Sequence, residues 1–331
     1  MSTLHTASEA GDTELVKELL DKGALVDEKD NNYSWTALMW ASWEGHTEVV
    51  QLLLDKSALV DENAHDGDTA LMLGSQKDYT EAMKLLLDKG ASVDVKNEYG
   101  NTALLQASQR GHTEAVKLLL EKNALVDGNA GRNGTALMRA SEYGCTDVVK
   151  LLLEKGAPVD EKDKDGKTAL MVAIEDGHTE VVQLLLDEGA SVNKQDGNGD
   201  TVLMWAIKKD HTEVVQQLLD KGASANEKDG NGETVLMWAI KEGHTEVVQQ
   251  LLEKGASVNE KDGNGDTVLM WVIKEDHTEV VPMLLDKGAS LDKQHKHGDT
   301  ALMRASENNH TKVVKLLLDK GASVDVKNEY G

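Results

Sequence analysis

The stretch Thr36-Ala-Leu-Met-Trp-Ala-Ser-Trp-Glu-Gly45, with the His46-Thr-Glu-Val-Val that follows it, decides the fold of this chain. Leu38 and Ala41 are three residues apart, which places both side chains on one face of a helix, and Gly45 stands where a left-handed residue would end that helix. The Thr and Glu of the second segment supply a hydroxyl and an acid at the start of another helix. The stretch therefore predicts a short helix, a turn and a second helix.

The same phrase recurs along the chain at intervals of 33 residues. Because repeated units of about 20–45 residues bury their apolar faces against one another, this period predicts one continuous stack. The marker, Thr followed by Ala or Val and then Leu, starts at these positions, and Ser2-Thr3-Leu4 opens the series: Thr36, Thr69, Thr102, Thr135, Thr168, Thr201, Thr234, Thr267 and Thr300. The predicted repeats span 1–30, 31–63, 64–96, 97–129, 130–162, 163–195, 196–228, 229–261, 262–294 and 295–327 of a single array, 1–331. Residues 328–331 begin a truncated finger, so we expect a further repeat or domain beyond them.

Segments rich in Gly, Asn and Asp join one repeat to the next, as in 257–266. These residues accept turn geometry, so each segment predicts a hairpin or finger. Four repeats depart from the pattern at the end of the first helix, where Gly is replaced by Asp78, Asp210, Asp276 or Asn309. Pro282 enters the second helix of the ninth repeat, and we expect that repeat to kink or fray first.

A helix, a turn, a helix and a finger in 33 residues resemble the ankyrin repeat. The resemblance rests on Gly-x-Thr-Ala-Leu, Gly-His-Thr-Glu-Val-Val and Leu-Leu-Leu-Asp-Lys-Gly-Ala-x-Val, and it covers Ser2 to Gly331. It implies an all-α solenoid of stacked helix-turn-helix pairs with projecting β-hairpin fingers, which binds partner proteins on a concave surface. The family's usual Thr-Pro-Leu-His is here mostly Thr-Ala-Leu-Met, so an apolar filler replaces a histidine that commonly links neighbouring repeats.

Composition and charge narrow the class of partner. The chain carries 35 Lys and Arg against 59 Asp and Glu, a formal net charge of -24, which repels nucleic-acid phosphates and anionic membranes. A single cysteine, Cys145, and the lack of an apolar leader indicate the cytoplasm, with the nucleus as the alternative. The sequence predicts a protein or peptide partner, favours a basic one, and predicts no nucleic-acid or membrane partner.

No motif predicts catalysis, a cofactor, a metal or a small-molecule substrate. The fingers imitate the opening of a calcium loop, but Trp205, Trp238 and Trp271 occupy the twelfth place, where such a loop needs a bidentate Glu. The histidines between the helices recur about one repeat apart, too far to share a metal, which favours a structural role. These histidines are His46, His112, His178, His211, His244, His277 and His310.

The positions that vary between repeats carry the functional prediction. In the seventh to ninth repeats, a tryptophan and a lysine share each first helix, and an acid precedes them at the fingertip. Aromatic anchors flanked by both charge signs are typical of protein interfaces, so these residues predict the partner-binding strip, with packing between helices as the alternative for the tryptophans. The strip comprises Trp205, Trp238, Trp271, Lys208, Lys241, Lys274, Asp200, Glu233 and Asp266.

A second aromatic cluster lies in the second repeat. Its Trp-Thr-x-x-x-Trp-Ala is similar to the methyl-lysine-reading ankyrin repeats of histone lysine methyltransferases, where tryptophans and an acid enclose a methylated ammonium. On that resemblance Trp35 and Trp40 match two walls of the cage, Trp43 stands at its acidic place, and Leu73 replaces a third wall. Glu44 is the candidate substitute acid. Two further residues are near the cluster in sequence, Tyr33 in the preceding finger and Asp68 on the next fingertip.

Three functions therefore stay open: a non-catalytic protein-binding scaffold, which the strip favours; a reader of methylated lysine, centred on the second repeat; and a structural spacer. A scaffold should depend on the strip and a reader on Trp40, whereas a spacer should tolerate changes at both.

Overall fold

The computed structural model describes residues 3–128 and 134–331, and within them the chain is built of paired helices. The first helices are α1 (Leu4–Glu9), α3 (Ala37–Glu44), α5 (Ala70–Ser75), α7 (Ala103–Gln109), α9 (Ala136–Glu142), α11 (Ala169–Glu175), α13 (Val202–Lys208), α15 (Val235–Lys241), α17 (Val268–Lys274) and α19 (Ala301–Glu307). The second helices are α2 (Thr13–Asp21), α4 (Thr47–Asp55), α6 (Thr80–Asp88), α8 (Thr113–Glu121), α10 (Thr146–Glu154), α12 (Thr179–Asp187), α14 (Thr212–Asp220), α16 (Thr245–Glu253), α18 (Val281–Asp286) and α20 (Thr311–Asp319). Ser2 of the first marker and the predicted repeat boundary at 129 and 130 lie outside the described residues.

The helix pairs form two compact units, Met1–Ala190 and Ser191–Gly331. In the first unit, each first helix contacts the first helix of the next repeat, and each second helix contacts the next second helix. The second unit follows the same order, with α13, α15, α17 and α19 in sequence and α14 against α16. The predicted all-α architecture of stacked helix pairs is confirmed. That all ten repeats form one uninterrupted array stays a prediction.

The marker threonine begins each first helix because its side chain satisfies an exposed backbone donor. In the eighth repeat, Thr234 Oγ1 accepts from the N–H of Met237 at 3.3 Å, and Met237 Sδ accepts in return from the N–H of Thr234 at 3.4 Å. Met237 is fully buried between helices, so the predicted packing role of the marker methionine is confirmed here. Its sulfur also makes a capping contact that the sequence pattern did not predict.

Left-handed residues end the first helices, as the pattern predicts. Gly45 has a φ of 76°, and the residues that replace Gly adopt the same conformation. Their φ angles are 62° at Asp78, 59° at Asp210, 62° at Asp276 and 58° at Asn309. Asp and Asn tolerate this region at a cost of about 1 kcal/mol, so the interhelix turn is kept without glycine.

The ninth repeat is distorted where proline enters it. A 3₁₀ turn over Thr278–Val280 replaces the start of its second helix, and α18 continues from Val281 with Pro282 in its first turn. Proline has no N–H to donate to the carbonyl four residues earlier, so the regular helix starts late. The structure thus distorts the second helix of this repeat by a 3₁₀ turn, and its fraying before the other repeats stays a prediction.

Interhelix histidines link neighbouring repeats. His46 Nε2 lies 2.9 Å from the carbonyl oxygen of Glu9, in the first helix of the preceding repeat. His112, His178 and His244 make the same contact, at 3.0, 2.9 and 3.1 Å. Their predicted structural role is confirmed. Cys145 occupies the same place with a weaker contact, its Sγ 4.0 Å from the carbonyl oxygen of Gln109, and burial raises the pKa of its thiol.

The fingers are tighter than the predicted β-hairpins. Over 3–128 and 134–331 no β-strand forms, and isolated bridges such as Lys228↔Thr234 close some of the fingers. Asp229 explains the difference, because its Oδ1 accepts from the N–H groups of Asn231 at 2.9 Å and Glu233 at 2.8 Å. A side chain thus takes backbone donors that a strand ladder would otherwise use. No helix among the described residues has the length and apolar character needed to cross a membrane.

Candidate functional site

The three tryptophans of the predicted strip are buried. Trp205, Trp238 and Trp271 retain 7, 8 and 4 % of their accessible surface. Each indole Nε1 donates to the Oδ2 of an aspartate in its own finger, and the distances are 3.1 Å to Asp196, 3.2 Å to Asp229 and 3.1 Å to Asp262. Because Oδ1 of the same aspartate holds the finger turn, each tryptophan fastens a finger to a first helix. We call this pairing the Trp–Asp clamp.

The three lysines of the strip lie over the clamped rings. Lys208 Nζ is 5.0 Å from the ring centroid of Trp205 and 5.6 Å from that of Trp238. Lys241 repeats the arrangement one layer on, at 4.9 Å from Trp238 and 5.8 Å from Trp271. These distances are those of cation–π contacts. At exposed side chains such as these, each contact contributes about 0.5–1 kcal/mol. Contact of the strip with a partner stays a prediction.

Acids crowd the fingertips beside these lysines. Asp200 is buried, and burial first, then the charges of Asp196 and Asp229, raise its pKa against the opposing charge of Lys208. Burial likewise raises the pKa of Glu233, which Lys241 Nζ opposes from 3.5 Å. The strip is thus a surface of fixed charges in which carboxylates are packed closely enough to repel one another.

Asp266, the third acid of the strip, is paired within the chain. Arg304 donates to both of its oxygens, from Nη2 to Oδ1 at 2.7 Å and from Nη1 to Oδ2 at 3.3 Å. Only 7 % of Asp266 is exposed, so a guanidinium neutralises this carboxylate where water has little access.

Trp40 of the second repeat forms the same Trp–Asp clamp with an aspartate at the end of the first repeat. Trp40 Nε1 donates to Asp30 Oδ2 at 2.8 Å, and Asp30 Oδ1 accepts from the N–H groups of Asn32 and Tyr33. Burial raises the pKa of Asp30, but the hydrogen bonds from Tyr33, Trp40, Trp35 and Asn32 outweigh it and leave the pKa lowered. Trp40 is therefore the structural equivalent of Trp205.

An open cleft of about 400 Å³ lies beside this clamp, and we call it the aromatic–acidic cleft. Trp35, Trp43 and Tyr33 line it, and the ring centroids of Trp35 and Trp43 are 5.6 Å apart. Asp66 and Asp68 of the next finger also line it. The remaining lining residues are Asn32, His65, Leu73 and Gln76.

The cleft differs in composition from the predicted cage. Trp40 packs on Trp35, with ring centroids 4.6 Å apart, but it lines a different cleft toward the first repeat. Glu44 is exposed at the end of α3 and does not line the aromatic–acidic cleft. The structure thus groups Trp35 with Trp43 and supplies carboxylates from the third repeat. Methyl-lysine binding stays a prediction.

Comparisons with known proteins agree with this architecture. The family model described as ankyrin repeats (3 copies) matches residues 1–64, 57–130, 122–196, 189–262 and 258–328. The chain is an ankyrin-repeat protein. Among solved structures it is similar to the crystal structure of the human ASB11 ankyrin repeat domain, with 30% identity and a TM-score of 0.61. That match covers 68% of this chain and 99% of the other. No curated protein matches the chain.

Ankyrin repeats are in general protein–protein interaction modules, which agrees with the class of function predicted from the sequence. Sequence reasoning missed two features of this ankyrin-repeat protein: the Trp–Asp clamps and the place of Asp66 in the cleft. One signal could have revealed the clamps, because an aspartate precedes each clamped tryptophan by nine residues, as in Asp229 and Trp238, or by ten in the longer first finger. Nothing in the repeat pattern marks Asp66.

Proposed function

We propose that this ankyrin-repeat protein is a non-catalytic scaffold that binds a basic partner protein through the strip of the seventh to ninth repeats. The observation that carries the proposal is that carboxylates stand close together at the fingertips, where burial first, and then the charges of neighbouring acids, raise the pKa of Asp200 and Glu233. A cationic side chain of a partner would relieve that repulsion, whereas another acid would increase it.

The Trp–Asp clamps support binding by preorganisation. Each clamp fixes its finger, so the fingertip acids and the buried indoles have little freedom left to lose when a partner docks, and an exposed lysine lies over each ring. The net charge of -24 adds long-range attraction for a basic partner, and this attraction weakens as salt is raised. The partner is expected in the cytoplasm or nucleus.

The test uses two variants with the same change in net charge. The strip variant combines Asp200→Asn with Glu233→Gln and so neutralises two acids of the strip. The helix variant combines Glu213→Gln with Glu246→Gln and neutralises two exposed acids on the second helices α14 and α16. Both proteins, once shown to be folded by circular dichroism, are used to capture partners from lysate, and the retained proteins are quantified by mass spectrometry.

The strip variant should lose basic partners that the wild type and the helix variant retain. Equal loss from both variants would mean that only overall charge matters, which contradicts a specific strip. If neither variant changes the set of retained proteins, the strip is not the binding surface, and the spacer interpretation gains support.

A further inference from the structure

The aromatic–acidic cleft contains a buried carboxylate that accepts hydrogen bonds from neutral side-chain amides. Asp68 is 5 % exposed, and its Oδ1 accepts from Asn97 Nδ2 at 2.7 Å and Gln106 Nε2 at 3.0 Å. Its Oδ2 accepts from Gln76 Nε2 at 3.0 Å. Burial, together with the nearby charge of Asp66, raises the pKa of Asp68 despite these amides. The cleft therefore presents two carboxylates and three aromatic rings.

The second unit shows how an equivalent carboxylate is satisfied. Asp68 and Asp266 each precede the marker threonine of their repeat, and Gln106 and Arg304 each follow the next marker threonine by four residues. Where that position is arginine, a guanidinium binds both oxygens of Asp266. Where it is glutamine, Asp68 receives a single amide from it. At equivalent positions, the carboxylate of Asp266 therefore binds an arginine guanidinium, and the carboxylate of Asp68 binds a glutamine amide.

The aromatic rings beside Asp68 are suited to a cation. Lys77 Nζ already lies 4.1 Å from the ring centroid of Trp43, although Lys77 does not line the cleft. Tyr33, 55 % exposed, stands 5.5 Å from Trp35, centroid to centroid. A planar guanidinium stacks on such rings and donates two parallel hydrogen bonds to a carboxylate, whereas a methylated ammonium has few or no donors left for the carboxylate.

We propose that the aromatic–acidic cleft binds an arginine side chain of a partner, with its guanidinium hydrogen-bonded to Asp68 and in contact with the rings of Trp35 and Trp43. This inference rests on the proposed scaffold function and adds a second contact, formed by repeats other than those of the strip, with defined chemistry. The partner segment is basic and carries at least one accessible arginine.

The probes are four acetylated and amidated peptides, Gly-Ser-X-Ser-Gly, in which X is arginine, citrulline, lysine or trimethyl-lysine. Each is titrated into the full ¹⁵N-labelled chain, and the indole N–H resonances of Trp35 and Trp43 are followed by NMR. The indoles of Trp205, Trp238 and Trp271 serve as internal controls because they are buried in their clamps. Citrulline keeps the shape of arginine without its charge.

The arginine peptide should shift the Trp35 and Trp43 resonances and bind about tenfold more tightly than the citrulline peptide, because citrulline lacks the positive charge that pairs with the carboxylate and is attracted to the aromatic rings. It should also bind more tightly than lysine or trimethyl-lysine. Asp68→Asn, which keeps the shape of the side chain, should lower the affinity for arginine about tenfold. The matched control Asp147→Asn removes an exposed carboxylate on the second helix α10, outside both the strip and the cleft, and it should leave arginine binding unchanged.

Three results would each overturn the proposal. They are equal binding of the arginine and citrulline peptides, no shift of the Trp35 and Trp43 resonances with arginine, and unchanged arginine binding by the Asp68→Asn variant. Preference for trimethyl-lysine would replace it with methyl-lysine reading. The citrulline comparison uses the unmodified chain, so it decides the question even if a variant fails to fold. The strip variants of the lysate experiment leave Asp68 unchanged, so failure of the cleft and failure of the scaffold function give different results.

Discussion

The tryptophans of the second repeat and those of the seventh to ninth repeats share one clamp but differ in what surrounds it. In the eighth repeat, the clamped Trp238 is flanked by Glu233 before the marker threonine and Lys241 after it. In the second repeat, Trp35 and Trp43 hold those two flanking positions, around the clamped Trp40. The first arrangement gives a closed surface of fixed charges and the second an open aromatic cleft. Tryptophans thus close a clamp or form the half-buried walls of a cleft, according to their position in the repeat.

The largest expected difference between the two regions is in stability. Trp238→Ala should lower the free energy of unfolding by about 3–5 kcal/mol, because it leaves a cavity and removes the indole donor to Asp229. Trp43→Ala, which truncates a half-buried ring at the open cleft, should cost about 1–2 kcal/mol. Chemical denaturation followed by circular dichroism measures both. Equal losses would mean that the cleft is as closed as the strip.

The clamp itself should be equally important in both regions. Asp229→Asn and Asp30→Asn each place an amide where Oδ2 accepts from the indole, and each should cost about 1–3 kcal/mol. Thermal unfolding of the two variants, with Asn231→Ala at an exposed fingertip position as the reference, gives the comparison. If Asp30→Asn has no effect while Asp229→Asn does, Trp40 is not the equivalent of Trp238.

Exchanging the flanking residues should convert one region into the other. Trp35→Asp combined with Trp43→Lys gives the second repeat the pattern of the strip, and it should reduce binding of the arginine peptide by about tenfold or more. The free energy of unfolding should fall by about 2–4 kcal/mol, because two half-buried rings are lost while the clamp of Trp40 is kept. NMR titration and denaturation measure the two quantities, and retained peptide binding would place the site outside the cleft.

The smallest expected effect is the pH dependence at Glu233. Its pKa is raised in the folded chain, mainly by burial, so the folded state binds the proton more tightly than the unfolded state does. The stabilisation is therefore present below the ordinary pKa of 4.5 and is lost as the pH rises through the folded value. Glu233→Gln should make the protein slightly more stable than wild type near pH 7 but not at acidic pH.

The control for this measurement is Glu246→Gln, which changes an exposed carboxylate on α16. Its thermal midpoint should stay close to that of the wild type at both pH values. A Glu233→Gln variant that is destabilised at neutral pH would show instead that the contact with Lys241 outweighs the burial of the carboxylate.

The period, the helix pairs and the turn residues could be predicted from the sequence because they depend on local geometry. These signals act through the backbone within one turn of a helix. A threonine caps the start of a first helix, as at Thr234, a left-handed residue ends one, as at Asp78, and a proline distorts a second helix, as at Pro282. The burial of the marker methionine followed from the same periodicity. The fingers were harder to predict, because the bonds of the Asp229 side chain compete with strand pairing.

The exposure of each tryptophan was decided only by the tertiary structure. Residues 33 apart lie on neighbouring layers, so Trp205 and Trp238 share the head group of Lys208, whereas Trp35 and Trp43 face Asp68, Leu73 and Gln76 of the next repeat. The sequence by itself determined a stack of helix pairs, since helix caps and apolar spacing are local. Whether an aromatic ring closes a clamp or walls a cleft depends on side chains from two layers, and their contacts exist only after the layers have packed.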